Sequence, residues 1–113
     1  MNTTDNNKLI AEFMGIELEE TLHGLMVYAI VINRNNPLKE NDIETDFFEP
    51  QELKYHTSWD WLIPVVQKLN EDVESSFIKT EYMSEISSHI LVNERLFAHQ
   101  RVVEFINWYN KNI

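Results

Sequence analysis

Apolar residues along this chain change period several times, and each change marks an element. Leu9, Ile10, Phe13 and Met14 recur at helical spacing, which predicts a short helix from about Asn6 to Met14 with Asp5 or Asn6 as its N-cap. Gly15 follows where a left-handed residue is wanted to close such a helix. Leu25 to Ile32 is apolar throughout and rich in β-branched residues, so it reads as a strand, central and covered on both faces. Asn33 to Pro37 is a turn cluster that closes it. Ile43, Thr45 and Phe47 then alternate with Asp42, Glu44 and Asp46, as in a half-buried edge strand whose outward carboxylates deter edge pairing; Pro50 ends it.

The segment from Tyr55 to Val66, YHTSWDWLIPVV, packs a helix start, two tryptophans and a proline into one junction. Thr57 or Ser58 can cap the helix, and with Thr57 as N-cap Asp60 falls at the third helical position, a short-chain variant of the capping box. Trp59, Trp61, Leu62, Ile63, Val65, Val66 and Leu69 share an arc of roughly 200°, leaving Asp60, Pro64, Gln67 and Lys68 on the wet side. Pro64 removes a hydrogen bond to the Asp60 carbonyl on that wet side, where water can replace it, so a helix over about 58–70 survives. Phe77 to Tyr82 suits a strand, and Ile86, Ser88, Ile90 and Val92 alternate as a further one. Met83, Ile86 and Ile90 also fit helical spacing, which leaves 83–92 open between strand and helix. Glu94 to about Lys111 reads as the last helix, with Asn93 as N-cap and Leu96, Ala98, Val102, Val103, Phe105, Ile106 and Tyr109 facing inward. The order α-β-β-α-β-β-α describes a small single-domain layered sandwich over 1–113, of the α+β or α/β class, with helices packed on a small sheet.

At 113 residues the chain is one domain in size, and its 13 aromatics supply much of the core mass. Cysteine is absent, which removes disulfides, thiolate metal sites and thiol nucleophiles together. The longest apolar run, eight residues from Leu25 to Ile32, is far short of a membrane span, and Met1 to Asn7 holds neither a basic region nor an apolar run of signal length. A cytoplasmic protein with no membrane association is expected. Of the formal charge of −10, −8 lies between Glu40 and Glu74, where ten acidic residues face only Lys54 and Lys68. That field opposes phosphate backbones and anionic lipid, so no direct nucleic-acid binding is expected.

Candidate chemistry thins out on inspection. His56, Ser58 and Asp60 offer the residue types of a catalytic triad, but Ser58 projects away from the other two on a helix start, and working triads gather from distant elements. Asp42, Glu44 and Asp46 imitate a calcium loop, yet its glycine position is Phe47 and its final glutamate position is Leu53. His23, His56, His89 and His99 show no zinc-ligand spacing, and Gly15 and Gly24 cannot build a phosphate-cradling loop. The expectation is a non-enzyme with no catalytic, cofactor or metal residues. Two surfaces remain. Phe97 and Trp108 fall in line with Arg101 and Glu104 on the otherwise polar arc of the last helix, which suits a homodimer or partner-protein interface unless a neighbouring segment covers them. Asp42, Glu44, Asp46, Glu49, Glu52, Glu71, Asp72 and Glu74 form an acidic surface; as an alternative to plain solubility, it could imitate DNA and occupy the basic groove of a nucleic-acid-handling protein.

Three segments, NKLIAEFMG (Asn7 to Gly15), YHTSWDWLIPVVQKL (Tyr55 to Leu69) and VVEFINWYNKN (Val102 to Asn112), together resemble small uncharacterised proteins of gut anaerobes and their phages, similar to the phage ABA sandwich domain group. The resemblance implies an α/β/α sandwich and a phage- or mobile-element-related interaction protein. It brings no catalytic residues with it.

Overall fold

The computed structural model describes residues 2–36 and 39–112, and for residues 31–36 and 39–44 it describes the backbone alone. The chain runs α1 (Thr3–Phe13), β1 (Leu18–Glu20), β2 (Met26–Asn36), β3 (Lys39–Phe48), a single 3-10 turn (Pro50–Glu52), α2 (Trp59–Asp72), α3 (Phe77–Leu91) and α4 (Arg95–Lys111). The expected class holds: this is an α+β domain of four helices on a small sheet. The expected element order does not. The strands are consecutive and form one antiparallel sheet in the order β1-β2-β3, and the region after α2 read as strands is the helix α3.

Local chemistry accounts for the helix ends. In α1 the cap is Asn2, whose Oδ1 accepts the Asp5 N–H at 2.8 Å, so the helix begins before Asp5 and Asn6, the expected caps. It closes on Gly15 at φ +75°, with the Gly15 and Ile16 N–H groups donating to the Glu12 and Ala11 carbonyls, both at 3.0 Å. Asn93 plays the same part for α3: at φ 58° it donates to Ile90 at 3.1 Å while Glu94 donates to His89 at 2.8 Å. Asn93 therefore terminates α3, and Glu94 is the N-cap of α4. The Trp59 indole N–H donates to Asn93 Oδ1 at 2.7 Å and ties the start of α2 to this turn.

Ser58 stands at the N-cap of α2, but its side chain makes no capping bond, and the Thr57 hydroxyl donates instead to the Lys54 carbonyl at 3.4 Å. The capping box with Asp60 is not formed. The amphipathic reading of α2 holds: Leu62, Val65, Val66 and Leu69 are buried, while Asp60, Pro64 and Gln67 are exposed. At its other end Glu71 and Asp72 sit at the negative pole of the helix with no basic residue in the last turn. The cation comes from α3, where Lys79 Nζ donates to the Asn70 and Val73 carbonyls, each at 2.7 Å.

Sheet register decides which strand residues face the helices. Tyr28 pairs with Phe48, Ala29 with Phe47 and Ile30 with Asp46. Tyr28, Ile30 and Phe48 join the core shared with Ile10, Leu62, Leu69, Ile86, Phe105 and Ile106, and by alternation they lie on one face of the sheet. The helices form one layer and the sheet the other. Phe47 points away and is 60% exposed, so β3 has the opposite phase from that expected. Phe48 takes the inner place and meets Trp61 edge to face at 5.0 Å. β2 is central, as expected, but Leu25 and Met26 at its start are exposed, and its backbone continues through Asn33–Asn36 in place of the predicted turn. Pro37 and the side chains of Asp42, Ile43 and Glu44 lie outside the described residues.

Candidate functional site

The proposed aromatic face of α4 is crossed by α3. Arg101 Nε lies 3.0 Å from Glu85 on α3, and Arg101 Nη1 donates to Glu104 at 2.6 Å, an arrangement that holds the guanidinium still more firmly in its charged form. Trp108 is half-buried against the core, 6.5 Å from Tyr82 and 6.1 Å from Phe105 between ring centroids. Tyr82 itself stacks on Phe105 at 4.9 Å. Three of the four residues named for this face are thus engaged within the chain, and Phe97, stacked on His89 at 5.4 Å, remains 54% exposed.

Glu52, Glu71, Asp72 and Glu74 are exposed, Asp46 and Glu49 are half-buried, and the side chains of Asp42 and Glu44 lie outside the described residues. Glu49 and Glu52 are engaged locally, the Glu49 N–H donating to Glu52 Oε1 at 2.9 Å. Asp72 pairs with Lys68. Among the described residues no group of three or more His, Asp or Glu gathers as metal ligands would.

A buried polar centre, which hydrophobic periodicity could not reveal, joins both ends of the chain. Asn7 is 1% exposed and His99 6%. The Asn7 amide donates from Nδ2 to the Leu53 carbonyl at 3.1 Å and meets His56 Nδ1 at 2.9 Å, while its Oδ1 lies 2.8 Å from His99 Nε2. Because the Leu53 carbonyl can only accept, the amide orientation is fixed. Nδ1 of His56 must then be the bare nitrogen, and His99 must carry its proton on Nε2. Burial, with His56 nearby, lowers the His99 pKa to about 4, so the ring is neutral at pH 7. Every polar atom of Asn7 is satisfied, and the amide pins α1, the 53–56 segment and α4 together. His56, Ser58 and Asp60 therefore serve separately: a bond to Asn7, a helix start and an exposed carboxylate.

Asp60 instead lines a cleft of about 950 Å³ between the end of α1, the sheet and the first turns of α2. Its apolar surface comes from Met14, Ile16, Ala29, Ile30, Tyr55, Trp61 and Pro64, and its charged groups are Glu17, Glu19 and Asp60. Among the described residues no basic residue lines it. Tyr55 is 3% exposed, and burial, with the neighbouring Tyr28, pushes its pKa up to about 12. Pro64 adds a further acceptor, because the Asp60 carbonyl has no N–H opposite it in the helix. The site thus presents acceptors and aromatic surface to donor-rich ligands. The cleft draws on residues from 14 to 64, too dispersed for a motif; its faint local signals are Glu17 and Glu19 beside Ile16 and the wet-side Pro64. The chain matches no family model, no curated protein and no solved structure.

Proposed function

We propose that this chain is a non-enzymatic protein-interaction module of a phage or mobile element, which binds a partner protein through the sheet end of the domain. The observation that carries the reading is the run of exposed apolar side chains there, Leu18, Leu22, Leu25, Met26 and Phe47, none of which joins the core. Single exposed apolar residues are ordinary, but several close together on β1, β2 and their connecting turn are what a partner surface offers. By register Leu18 and Met26 lie on the Tyr28 face of the sheet and Leu25 and Phe47 on the other, so the exposed apolar groups wrap this end of the sheet. A triple variant, Leu22→Ser/Leu25→Ser/Phe47→Ser, changes only exposed positions and should fold normally. Affinity capture from the native host followed by mass spectrometry should recover a partner with the wild-type chain and lose it with this variant. Identical captured proteins for the two chains would sink the reading.

A second reading, an acidic decoy for a nucleic-acid-handling protein, draws on Glu71, Asp72 and Glu74. Glu71 and Asp72 are exposed in the last turn of α2, where the helix dipole disfavours carboxylates, and Glu74 is exposed just beyond it; of the three, Asp72 is offset by its pair with Lys68. A decoy complex should weaken steeply between about 50 and 400 mM salt, and a salt-insensitive complex removes this reading.

A further inference from the structure

We propose that the cleft between α1, the sheet and α2 is a docking groove for a lysine- or arginine-bearing segment of the partner protein, an inference that rests on the protein-binding reading above. Charge complementarity selects the occupant. Glu17, Glu19 and Asp60 border the cleft, and among the described residues no cation answers them within it. Pro64 leaves the Asp60 carbonyl without its helical donor, so residues lining this cleft carry three carboxylates and a carbonyl acceptor to which an ammonium or guanidinium would supply donors. The half-buried Trp61 offers an aromatic surface on which the same cation, or its methylene stem, can lie. Tyr55 also lines the cleft. A peptide fits better than a small cation because β1, three residues long, is an edge strand beside the cleft, with one side of its backbone unpaired. An extended segment can pair there while its alternate basic side chains reach the carboxylates.

The test titrates the full 15N-labelled chain with three probes: a capped hexapeptide alternating arginine and leucine, the same peptide with glutamine for arginine, and spermidine. The protein carries three tryptophans, so each indole N–H is a separate reporter. The arginine peptide should shift the Trp61 resonance and leave that of Trp108 in place. The variant Glu17→Gln/Glu19→Gln/Asp60→Asn, altered only at exposed positions, should bind this peptide about tenfold more weakly. The control Glu71→Gln/Glu74→Gln, at the far end of α2, should bind as the wild type does. The proposal is overturned by glutamine-peptide binding of equal affinity, by equal loss in the control variant, or by no shift at Trp61. Spermidine binding as tightly as the arginine peptide overturns the peptide occupant. A partner captured equally well by the wild type and the triple-carboxylate variant also overturns the groove, yet leaves the protein-binding reading standing. A chain that captures no partner removes that reading, whatever the peptide does.

Discussion

The Asn7 amide is buried with both of its polar atoms paired, although the neighbouring Asn6 Oδ1 is buried without a partner among the described residues, whereas around the β1–β2 turn the protein exposes apolar groups. In the first region one amide, two imidazoles and a backbone carbonyl meet within 3.1 Å and leave no atom of Asn7 wanting. In the second, Leu22, Leu25 and Phe47 lie open to water. A buried polar cluster is tolerable only when complete, because each orphaned group costs about 1–3 kcal/mol. An exposed apolar cluster forgoes burial that a partner can still provide. The Asn7 centre is therefore complete in itself, and the sheet end has apolar surface that binding could still bury.

The largest break in this contrast should come from Asn7→Ala, which orphans groups on His99, His56 and Leu53 at once. Urea denaturation should show a loss of about 3–5 kcal/mol; a loss under about 1 kcal/mol would mean that the amide pins nothing. Acid should reproduce part of this effect. Between about pH 6.5 and pH 4 the unfolded chain takes up a proton that buried His99 refuses, so this contribution is whole above the window, falls through it and is gone below it. The loss approaches about 3 kcal/mol. His99→Gln, which cannot titrate, should flatten that part of the stability–pH curve, and an unchanged curve would exclude His99 as its source.

Trp108→Ala should cost about 2–3 kcal/mol, since the ring packs on the core beside Tyr82 and Phe105, while Phe97→Ala on the same helix should cost under about 0.5 kcal/mol. Equal losses by thermal melting would contradict the cover that α3 provides. The smallest effect on stability belongs to the sheet end. Phe47→Ser and Leu22→Ser should each stay within about 0.5 kcal/mol of the wild type. A larger loss would place those side chains in the fold's own core.

These contrasts track how much could be read in advance. The inward arc of α2, its tolerated Pro64, the left-handed Gly15 and most of α4 follow from local pattern, and all stand in the structure. The α3 segment misleads because its inward residues satisfy two periods at once: Tyr82, Ile86 and Ile90 are spaced by four, which suits a helix face and also one side of a strand. The Ser76 hydroxyl, accepting the Lys79 N–H at 3.1 Å, starts the helix without any strong composition signal. On β3 the adjacent Phe47 and Phe48 make alternation indifferent to phase, and pairing with Tyr28 chooses Phe48. The polar centre and the cleft were illegible for a common reason. Each assembles residues from several elements, and no local pattern records which residues the fold will bring together.

The Asn7 amide also sets a timetable for the newborn chain. Its partner His99 lies 92 positions further along. At about 5–20 residues per second, the ribosome needs roughly 5–20 s to supply that ring after Asn7 has been made. Until then α1 carries an unanswered buried-type acceptor and the core lacks Val102, Phe105 and Ile106. Closure of this domain is thus an event that follows the emergence of α4 from the ribosome, and a nascent chain stalled before His99 would display the first helix to chaperones instead of hiding it.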